Sequence, residues 1–164
     1  MGNGITARQD DSTDFLTGIN WTAFVDLAKK KGAMLWGRRT HEVVRAWGAA
    51  TLHDLHGVRG IVLTSNQKFR VDEGWEVATS PEEILMRLEK DKVNELLVVG
   101  GPAINTAFAS GGFIDELILN VESVVVGQGL LLFSPAEFTL PLDLRSVTKL
   151  TSTVIQLHYI VGRT

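Results

Sequence analysis

Cysteine is absent from the 164-residue sequence. Its absence excludes disulfide bonds, thiolate catalysis and zinc sites that depend on cysteine, and we expect the protein to reside in the reducing cytoplasm. Long apolar runs are absent too, because no stretch approaches the roughly 20 residues of a membrane span. Residues 1–6 do not combine a basic segment with an apolar one, so no signal peptide is expected.

An excess of basic residues is also missing. The chain has 16 Lys and Arg residues against 19 Asp and Glu residues, which gives a formal net charge of −3. This balance argues against a nucleic-acid partner, since general nucleic-acid binders are usually basic. Apolar residues at 45% and charged residues at 21% are typical of a globular protein. The length predicts one domain over residues 1–164 that needs neither a disulfide nor a metal to fold.

Helix-like and strand-like patterns alternate along most of the chain. Residues 1–18 are predicted to form a loop, and apolar residues then recur at helical spacing from Asn20 to Lys31. Ser80-Pro81-Glu82-Glu83 predicts a helix start with a capping box. The other predicted elements are strands at 33–36, 60–64, 75–78 and 96–99, helices from Thr40 and over 102–109, and later strands at 115–121, 123–126 and 148–161.

This order of elements predicts an α/β fold with a mixed, mostly parallel sheet, flanking helices and antiparallel strands toward the C-terminus. Ligands of such sheets bind at the carboxyl ends of the strands. Gly37-Arg38-Arg39-Thr40 follows a buried strand, where a helix N-terminus and two guanidinium groups suit a phosphate. Taken alone, this segment is equally well explained as a turn with solvated arginines.

Two further turns follow predicted strands. In residues 99–105, glycines let the backbone approach an anion or a flat ring. In residues 63–66, hydroxyl groups can donate to a phosphate. Each alone is more simply explained as a connecting turn, but three such turns on one sheet predict an extended anionic ligand such as a dinucleotide. The two segments are Val99-Gly100-Gly101-Pro102-Ala103-Ile104-Asn105 and Leu63-Thr64-Ser65-Asn66.

Other chemistry-bearing residues give weaker signals. Asp14, in an acidic loop, could supply a proton donor, although a solvated loop is the simpler explanation. His53 and His56 form a close pair that a surface helical turn explains better than a metal site, and no metal is expected. Val126-Gly127-Gln128-Gly129 could form a nest near a ligand but is better explained as a turn.

Several motifs in order resemble the dihydrofolate reductase-like superfamily. Residues 37–42 resemble the G-R-x-T-x-E segment of dihydrofolate reductases, and residues 99–104 resemble the Gly-Gly turn of the same superfamily. Residues 111–133 are similar to the reductase domain of the bifunctional riboflavin deaminase-reductase, and Gly4-Ile5-Thr6-Ala7 resembles its D-G-x-I-A opening. The ordered set covers nearly the whole chain.

The resemblance implies a twisted mixed sheet and hydride transfer from NADPH to a polarised C=N or C=O carbon. Arg38, Arg39 and Thr40 would hold the adenosine 2′-phosphate and pyrophosphate. Residues 64–66 would lie along the adenosine, and Gly100 to Asn105 would cradle the pyrophosphate and nicotinamide ribose. The loop from Arg8 to Gly18 would cover the nicotinamide. The expected substrate-binding residues are Ile5, Phe15, Trp21, Phe24 and Asn120.

Two departures from the family patterns bear on the substrate. Asn20 or Trp21 falls where dihydrofolate reductases place an acid. Asp14 is therefore the substitute considered for proton transfer, and Asn20 is the second candidate catalytic residue. The riboflavin-type reductases use an Arg after a W-I-T-G-like stretch and a later D-N-P-x-L-T-x-R segment for ribose phosphate. Phe15-Leu16-Thr17-Gly18 matches the first part without the Arg, and nothing after Glu42 resembles the second.

The leading expectation is therefore an NADPH-dependent reductase of a small-molecule pterin, most simply of dihydrofolate to tetrahydrofolate. The alternative is the 5-amino-6-(5-phosphoribosylamino)uracil reductase of riboflavin biosynthesis. A catalytically silent nucleotide-binding module and a purely structural subunit are further alternatives. The apolar late strands and the related domains favour a homodimer, and no membrane partner is expected.

Overall fold

The computed structural model describes residues 4–162. The described elements alternate as the sequence predicts, and the α/β class is confirmed. In chain order they are β1 (Ile5–Ala7), α1 (Gly18–Lys31), β2 (Ala33–Gly37), α2 (Arg38–Ala46), α3 (Ala49–His53), β3 (Arg59–Leu63), β4 (Trp75–Ala78), α4 (Pro81–Lys90), β5 (Leu97–Gly100), α5 (Pro102–Ser110), β6 (Glu116–Glu122), β7 (Leu130–Leu131), β8 (Leu142–Lys149) and β9 (Val154–Val161).

The chain divides into two compact units, Phe24–Asn105 and the segments on either side of it. The central unit contains a four-stranded sheet in the order β4-β3-β2-β5, with every neighbouring pair parallel. All five residues of β2 are buried, as a strand between two parallel neighbours requires. That the two units fold as one domain stays a prediction from chain length.

Helix α4 begins at the predicted residue. The hydroxyl of Ser80 accepts a hydrogen bond from the Glu83 backbone N–H at 3.2 Å, and Pro81 occupies the first turn. The predicted capping box is shifted, because the Glu83 carboxylate accepts from the backbone N–H of Thr79 at 2.7 Å. The helix buries Ile84 and Leu88, four residues apart on one face.

An aromatic cluster lies on one face of the parallel sheet. The rings of Trp36 and Trp75 stack with centroids 4.9 Å apart and planes 9° apart. This stacking depends on Gly60, because a Cβ there would lie 2.5 Å from the Trp75 ring. The imidazole of His41 meets the Trp75 ring edge-on at 4.9 Å and is fully buried.

The flanking unit contains two antiparallel sheets. Strands β6, β9 and β8 form a three-stranded sheet with β9 in the centre, and β1 pairs with β7. The antiparallel C-terminal strands are thus confirmed.

Several predicted boundaries are wrong. Residues 1–18 are not all loop, since Ile5–Ala7 forms β1; residues 1–3 lie outside the described part. Residues 123–126 form no strand. The predicted strand at 148–161 is two strands, because the Thr151 hydroxyl accepts from the backbone N–H groups of Thr153 and Val154 and closes a turn between them.

Helix α2 begins at Arg38 and not after a Thr40 cap, with Gly37 as the residue before it. No helix within residues 4–162 is both long and apolar enough to cross a membrane.

Candidate functional site

Three strand ends meet at one edge of the parallel sheet. Gly37 at the end of β2 is in register with Leu63 at the end of β3, and Trp36 is in register with Gly100 at the end of β5. The turns that the sequence singles out therefore lie side by side. Their order across the edge follows the strand order β3-β2-β5. We call them the Thr64 turn (residues 63–66), the arginine turn (residues 37–40) and the glycine turn (residues 99–105).

Two of these turns lead directly into helices. Neither α2 nor α5 has an acidic residue in its first turn, and no side chain caps the start of α2. The first-turn N–H groups and the positive ends of both helix dipoles therefore point toward the same sheet edge without a protein carboxylate in either first turn. Such a pair of helix starts suits an anion.

The arginine turn and the glycine turn are in contact. A Cβ on Gly37 would lie 3.1 Å from Cγ1 of Ile104, and a Cβ on Gly101 would lie 3.6 Å from the Thr40 hydroxyl oxygen. The peptide bond between Gly100 and Gly101 is cis, and Gly100 has a φ of +118°, which L side chains rarely adopt. Asn105, which follows in α5, is largely buried.

The two arginines of the turn are exposed. The Arg38 guanidinium group donates to both oxygens of Glu42, at 2.8 and 3.0 Å, one helical turn further along α2. A phosphate bound here would compete with Glu42 for Arg38. Because Arg38 is already paired, an anion can bind its guanidinium group only by displacing the Glu42 carboxylate.

The turn after β3 is ordered by its own side chains. The buried Thr64 hydroxyl accepts from the Asn66 backbone N–H at 3.1 Å, and the Asn66 side-chain oxygen accepts from the Lys68 backbone N–H at 3.0 Å. Ser65 and Asn66 are exposed. The Ser65 hydroxyl and the Asn66 amide group are therefore the parts of this turn that can meet a ligand.

A chain of polar side chains centred on the buried His41, which the sequence analysis missed, connects α2 to the loop before β4. The Trp36 indole N–H donates to His41 Nδ1 at 3.1 Å, and His41 Nε2 lies 3.1 Å from a carboxylate oxygen of Asp72. Burial lowers the pKa of His41, and the hydrogen bond to Asp72 opposes this shift only in part. Indole is only a donor, so Nδ1 accepts and the neutral imidazole donates from Nε2 to Asp72.

The loop expected to carry the proton donor is held by an ion pair. Both Asp14 oxygens accept from the Arg8 guanidinium group, at 2.6 and 3.1 Å, and this group lies over the Phe15 ring at 5.7 Å. Hydrogen bonding to Arg8 lowers the pKa of Asp14. The carboxylate is therefore ionised near neutral pH, which disfavours Asp14 as a proton donor.

A carboxylate that was not anticipated, Glu122 at the end of β6, lies beside Asn20. One of its oxygens accepts from the Thr17 backbone N–H at 2.7 Å, from the Thr17 hydroxyl at 2.6 Å and from the Asn20 side-chain amide at 2.6 Å. The Thr17 bonds lower the pKa of Glu122. No short-range pattern signals this contact, since Asn20 and Glu122 are 102 residues apart in the chain.

The remaining expected substrate residues are placed in both units. Asn120, on β6, accepts from the Gln156 side-chain amide at 3.0 Å. Ile5 lies in β1 and is paired with Leu131, and Trp21 is half-buried in the first turn of α1. Phe24 belongs to the central unit, where its ring centroid lies 6.3 Å from that of Trp36. Their contact with a substrate stays a prediction.

His53, at the end of α3, and His56, in the surface turn that follows, lie close together. The rings of His53 and His56 are 6.0 Å apart, and within residues 4–162 no group of three or more His, Asp or Glu side chains could hold a metal ion.

A known family matches nearly the whole chain. The model of the RibD C-terminal domain family matches residues 3–156. The chain belongs to this family. As a RibD C-terminal domain, it is similar to the uncharacterized protein YwjB of Bacillus subtilis strain 168, with 26% identity over 167 residues that cover 96% of this chain and 91% of YwjB.

Two solved structures illustrate the shared fold. A Shewanella sp. PV-4 protein named for riboflavin biosynthesis has a TM-score of 0.82 and 21% identity, covering 98% of this chain and 94% of that one. The Thermotoga maritima diaminohydroxyphosphoribosylaminopyrimidine deaminase/5-amino-6-(5-phosphoribosylamino)uracil reductase has a TM-score of 0.70 and 17% identity, covering 98% of this chain and 54% of that one. These structures show the shared fold. Membership of the RibD C-terminal domain family supports an oxidoreductase of the RibD reductase type, in line with the aminopyrimidine alternative, and gives no support to dihydrofolate as the substrate.

Proposed function

We propose that this RibD C-terminal domain is an NADPH-dependent reductase of an aminopyrimidine related to 5-amino-6-(5-phosphoribosylamino)uracil. The observation that carries the proposal is the meeting of the arginine turn and the glycine turn at the carboxyl edge of the parallel sheet. The family match and the reductase named among its structural neighbours support the substrate class.

The residues at the sheet edge fit a phosphorylated dinucleotide. The Gly100–Gly101 backbone leaves open the space that a Cβ would fill beside Asn105 and Thr40, and two helix starts offer N–H groups to the pyrophosphate. Arg38 and Arg39 would take the adenosine 2′-phosphate, with Arg38 exchanging Glu42 for the phosphate. Ser65 and Asn66 would lie along the adenosine.

Bound NADPH would supply a hydride to the substrate carbon. The chain's own task is to align the two molecules and to bring a proton to the substrate heteroatom that gains the electron pair. Since Asp14 is ionised and paired with Arg8, that proton comes more simply from water than from Asp14. That Asn20 takes part in the reaction stays a prediction, and its side-chain amide donates to Glu122.

The experiment that tests the proposal is a turnover assay with two substrates. Purified protein and NADPH are mixed with 5-amino-6-(5-phosphoribosylamino)uracil or with dihydrofolate, and loss of the reduced nicotinamide absorbance is followed. We expect oxidation with the aminopyrimidine and little with dihydrofolate. NADPH oxidation with dihydrofolate but not with the aminopyrimidine would support the pterin expectation instead. NADPH binding without turnover of either substrate would favour the catalytically silent module.

A second experiment tests the arginines. Arg38→Ala together with Arg39→Ala should weaken NADPH binding at least about tenfold, as expected for loss of a charge-assisted phosphate contact, and should leave NADH binding nearly unchanged. Titration of both cofactors into both proteins measures the effect. Equal losses of affinity for NADPH and NADH would show that the two side chains do not bind the 2′-phosphate.

A further inference from the structure

The loop between β3 and β4 is fastened to α2 by side-chain contacts that meet at one carboxylate. This loop, residues 64–74, begins within the Thr64 turn, and Asp72 lies near its other end. One carboxylate oxygen of Asp72 lies 3.1 Å from Nε2 of His41 on α2. The other oxygen lies 3.5 Å from Nε of Arg45, one helical turn further along α2. We call these two contacts the Asp72 tie.

The imidazole at one end of the Asp72 tie is held in a single orientation. His41 is fully buried, and its ring meets those of Phe69 and Trp75 edge-on, with centroids 6.1 and 4.9 Å away. Its other nitrogen, Nδ1, accepts from the Trp36 indole N–H at 3.1 Å. Turning the ring would leave a buried donor or acceptor without a partner, which costs free energy. The direction of the bond to Asp72 is therefore fixed.

The Asp72 tie connects two of the three turns at the sheet edge. His41 directly follows the arginine turn in the chain. The Thr64 turn is fixed from the β4 side, since the Thr64 backbone N–H donates to the carbonyl oxygen of Ala78 at 2.9 Å. The tie therefore sets where the rest of the loop lies relative to the start of α2. The side chains of both turns that could meet a ligand stay exposed, namely Arg38, Arg39, Ser65 and Asn66.

Packing alone does not require a polar residue at position 41. An apolar side chain could fill the space among the rings of Trp36, Phe69 and Trp75 without needing a hydrogen-bond partner. Buried polar pairs add little net stability, and their best-attested effect is to specify one arrangement of the segments that they join. What the imidazole adds here is a directional bond to the loop, through Asp72.

The charge of Asp72 argues against a simple electrostatic role. Its carboxylate is an anion on the loop that carries Ser65 and Asn66, and an anion repels a phosphate. If Asp72 acted through its charge alone, it would weaken the binding of a phosphorylated ligand at this edge. The residue is better explained by the groups to which it bonds, His41 and Arg45.

We infer that His41 and Asp72 are positioning residues, which set the spacing between the arginine turn and the Thr64 turn for a ligand that carries a 2′-phosphate. This inference rests on the proposed function, in which the arginine turn takes the 2′-phosphate and the Thr64 turn lies along the adenosine. Neither His41 nor Asp72 needs to touch the cofactor. NADPH spans both turns and depends on their spacing, whereas NADH lacks the phosphate and depends on it less.

Three substitutions in the loop separate the hydrogen bond from the charge. Asp72→Ala removes both. Asp72→Asn removes the charge and keeps an oxygen that can accept from His41. Glu73→Ala is the matched control, because it removes the same charge one residue further along. Glu73 is exposed, and its carboxylate makes no hydrogen bond or ion pair with residues 4–162.

Fluorescence titration with NADPH and with NADH measures the effect of each substitution. Asp72→Ala should weaken NADPH binding about tenfold and NADH binding little, although the lost negative charge by itself would favour a phosphate. Asp72→Asn should retain most of the NADPH affinity, and Glu73→Ala should bind NADPH at least as tightly as the wild type. An Asp72→Asn protein as weak as Asp72→Ala, or equal losses for both cofactors, would overturn the inference.

A combination with the arginine substitutions tests whether the Asp72 tie acts through the arginine turn. In protein that already carries Arg38→Ala and Arg39→Ala, adding Asp72→Ala should cause little further loss of NADPH affinity, because residues that act through one another are not additive. A further loss as large as that in the wild-type background would show that Asp72 acts independently of the arginines and would contradict the positioning role.

Hydrogen exchange tests the tie without any cofactor. In Asp72→Ala, the backbone amides of residues 64–74 should exchange faster than in the wild type, because the loop has lost its bond to α2. The amides of α4 should keep their wild-type exchange rates, which also shows that the variant is folded. Unchanged exchange in residues 64–74 would mean that Asp72 does not order the loop.

The two proposals fail on different results. If the wild-type protein does not bind NADPH, the proposed function fails, and the positioning role for the cofactor fails with it. If the wild type binds NADPH, and Asp72→Ala leaves either the loop exchange or the preference for NADPH over NADH unchanged, the positioning role alone fails.

Discussion

At the scale of single residues, His41 is a buried titratable group with a partner on each ring nitrogen. It is fully buried, accepts from Trp36 and donates to Asp72. Protonation would place a second N–H against the indole N–H of Trp36, since both nitrogens of a charged imidazole are donors. The folded state therefore requires neutral His41. For this reason the free energy of unfolding should depend on pH.

The pH dependence of unfolding tests this. The folded state lowers the pKa of His41 below the unfolded value of about 6.5, so the unfolded state binds more protons and stability is lost as pH falls below about 6.5. His41→Phe should be less stable than wild type near neutral pH, because Trp36 loses its acceptor, yet should lose less stability on acidification. Urea unfolding at two pH values measures both. Equal slopes for wild type and His41→Phe would contradict the assignment.

Asp14 illustrates how a neighbour changes the chemistry of a carboxylate. Its pairing with Arg8 favours the ionised form, so it has no proton to give near neutral pH. Asp14→Asn should therefore lower turnover far less than the roughly 100-fold or greater loss expected when a general acid is removed. Steady-state kinetics with saturating NADPH would measure this, with Asp10→Asn in the same loop as the control. A 100-fold loss specific to Asp14→Asn would restore it as the proton donor.

At the scale of elements, β3 is shaped by what packs on it. Gly60 leaves room for the Trp75 ring, which is fixed in turn by stacking on Trp36. The strand therefore carries a glycine where a β-branched residue would otherwise be favoured. Gly60 is therefore required for packing against the Trp75 ring, and it does not mark a turn.

Gly60→Ala should destabilise the fold by about 1–3 kcal/mol, because the new methyl group would overlap the Trp75 ring. Urea unfolding gives the change in free energy. Gly18→Ala is the matched control, since a Cβ at Gly18 meets nothing within 4 Å and alanine favours the first turn of α1. If Gly60→Ala is as stable as wild type, the Trp75 ring is free to move away.

At the scale of the whole molecule, a ligand that binds only the folded state must stabilise it. With NADPH at 100 times its dissociation constant, the gain should be about 2.7 kcal/mol, or roughly 5–10 °C in Tm for a chain of this length. Differential scanning calorimetry with NADPH and with NADH at the same concentration measures it. We expect the smaller shift with NADH, and Arg38→Ala with Arg39→Ala should abolish the difference. A Tm unaffected by NADPH would contradict cofactor binding.

The sequence by itself determined the local parts of this protein. Buried strands, helix starts such as Ser80, and the order of the three turns follow from patterns within a few residues, where periodicity and capping act. Parallel strands aligned these turns at one edge, as the alternation of elements predicted. The edge of the sheet that holds the candidate cofactor site was therefore predictable before any contact was known.

Only the tertiary structure decided the contacts between distant segments. The pairing of the two-residue β7 with β1, the approach of Glu122 to Asn20 and the bond between His41 and Asp72 join residues whose own neighbourhoods carry no matching signal. Alternation in β8 and β9 shows which side chains share a face, but only packing determines which face stays uncovered. Local propensity acts through the backbone of a few residues, whereas these contacts depend on where the whole chain brings its segments together.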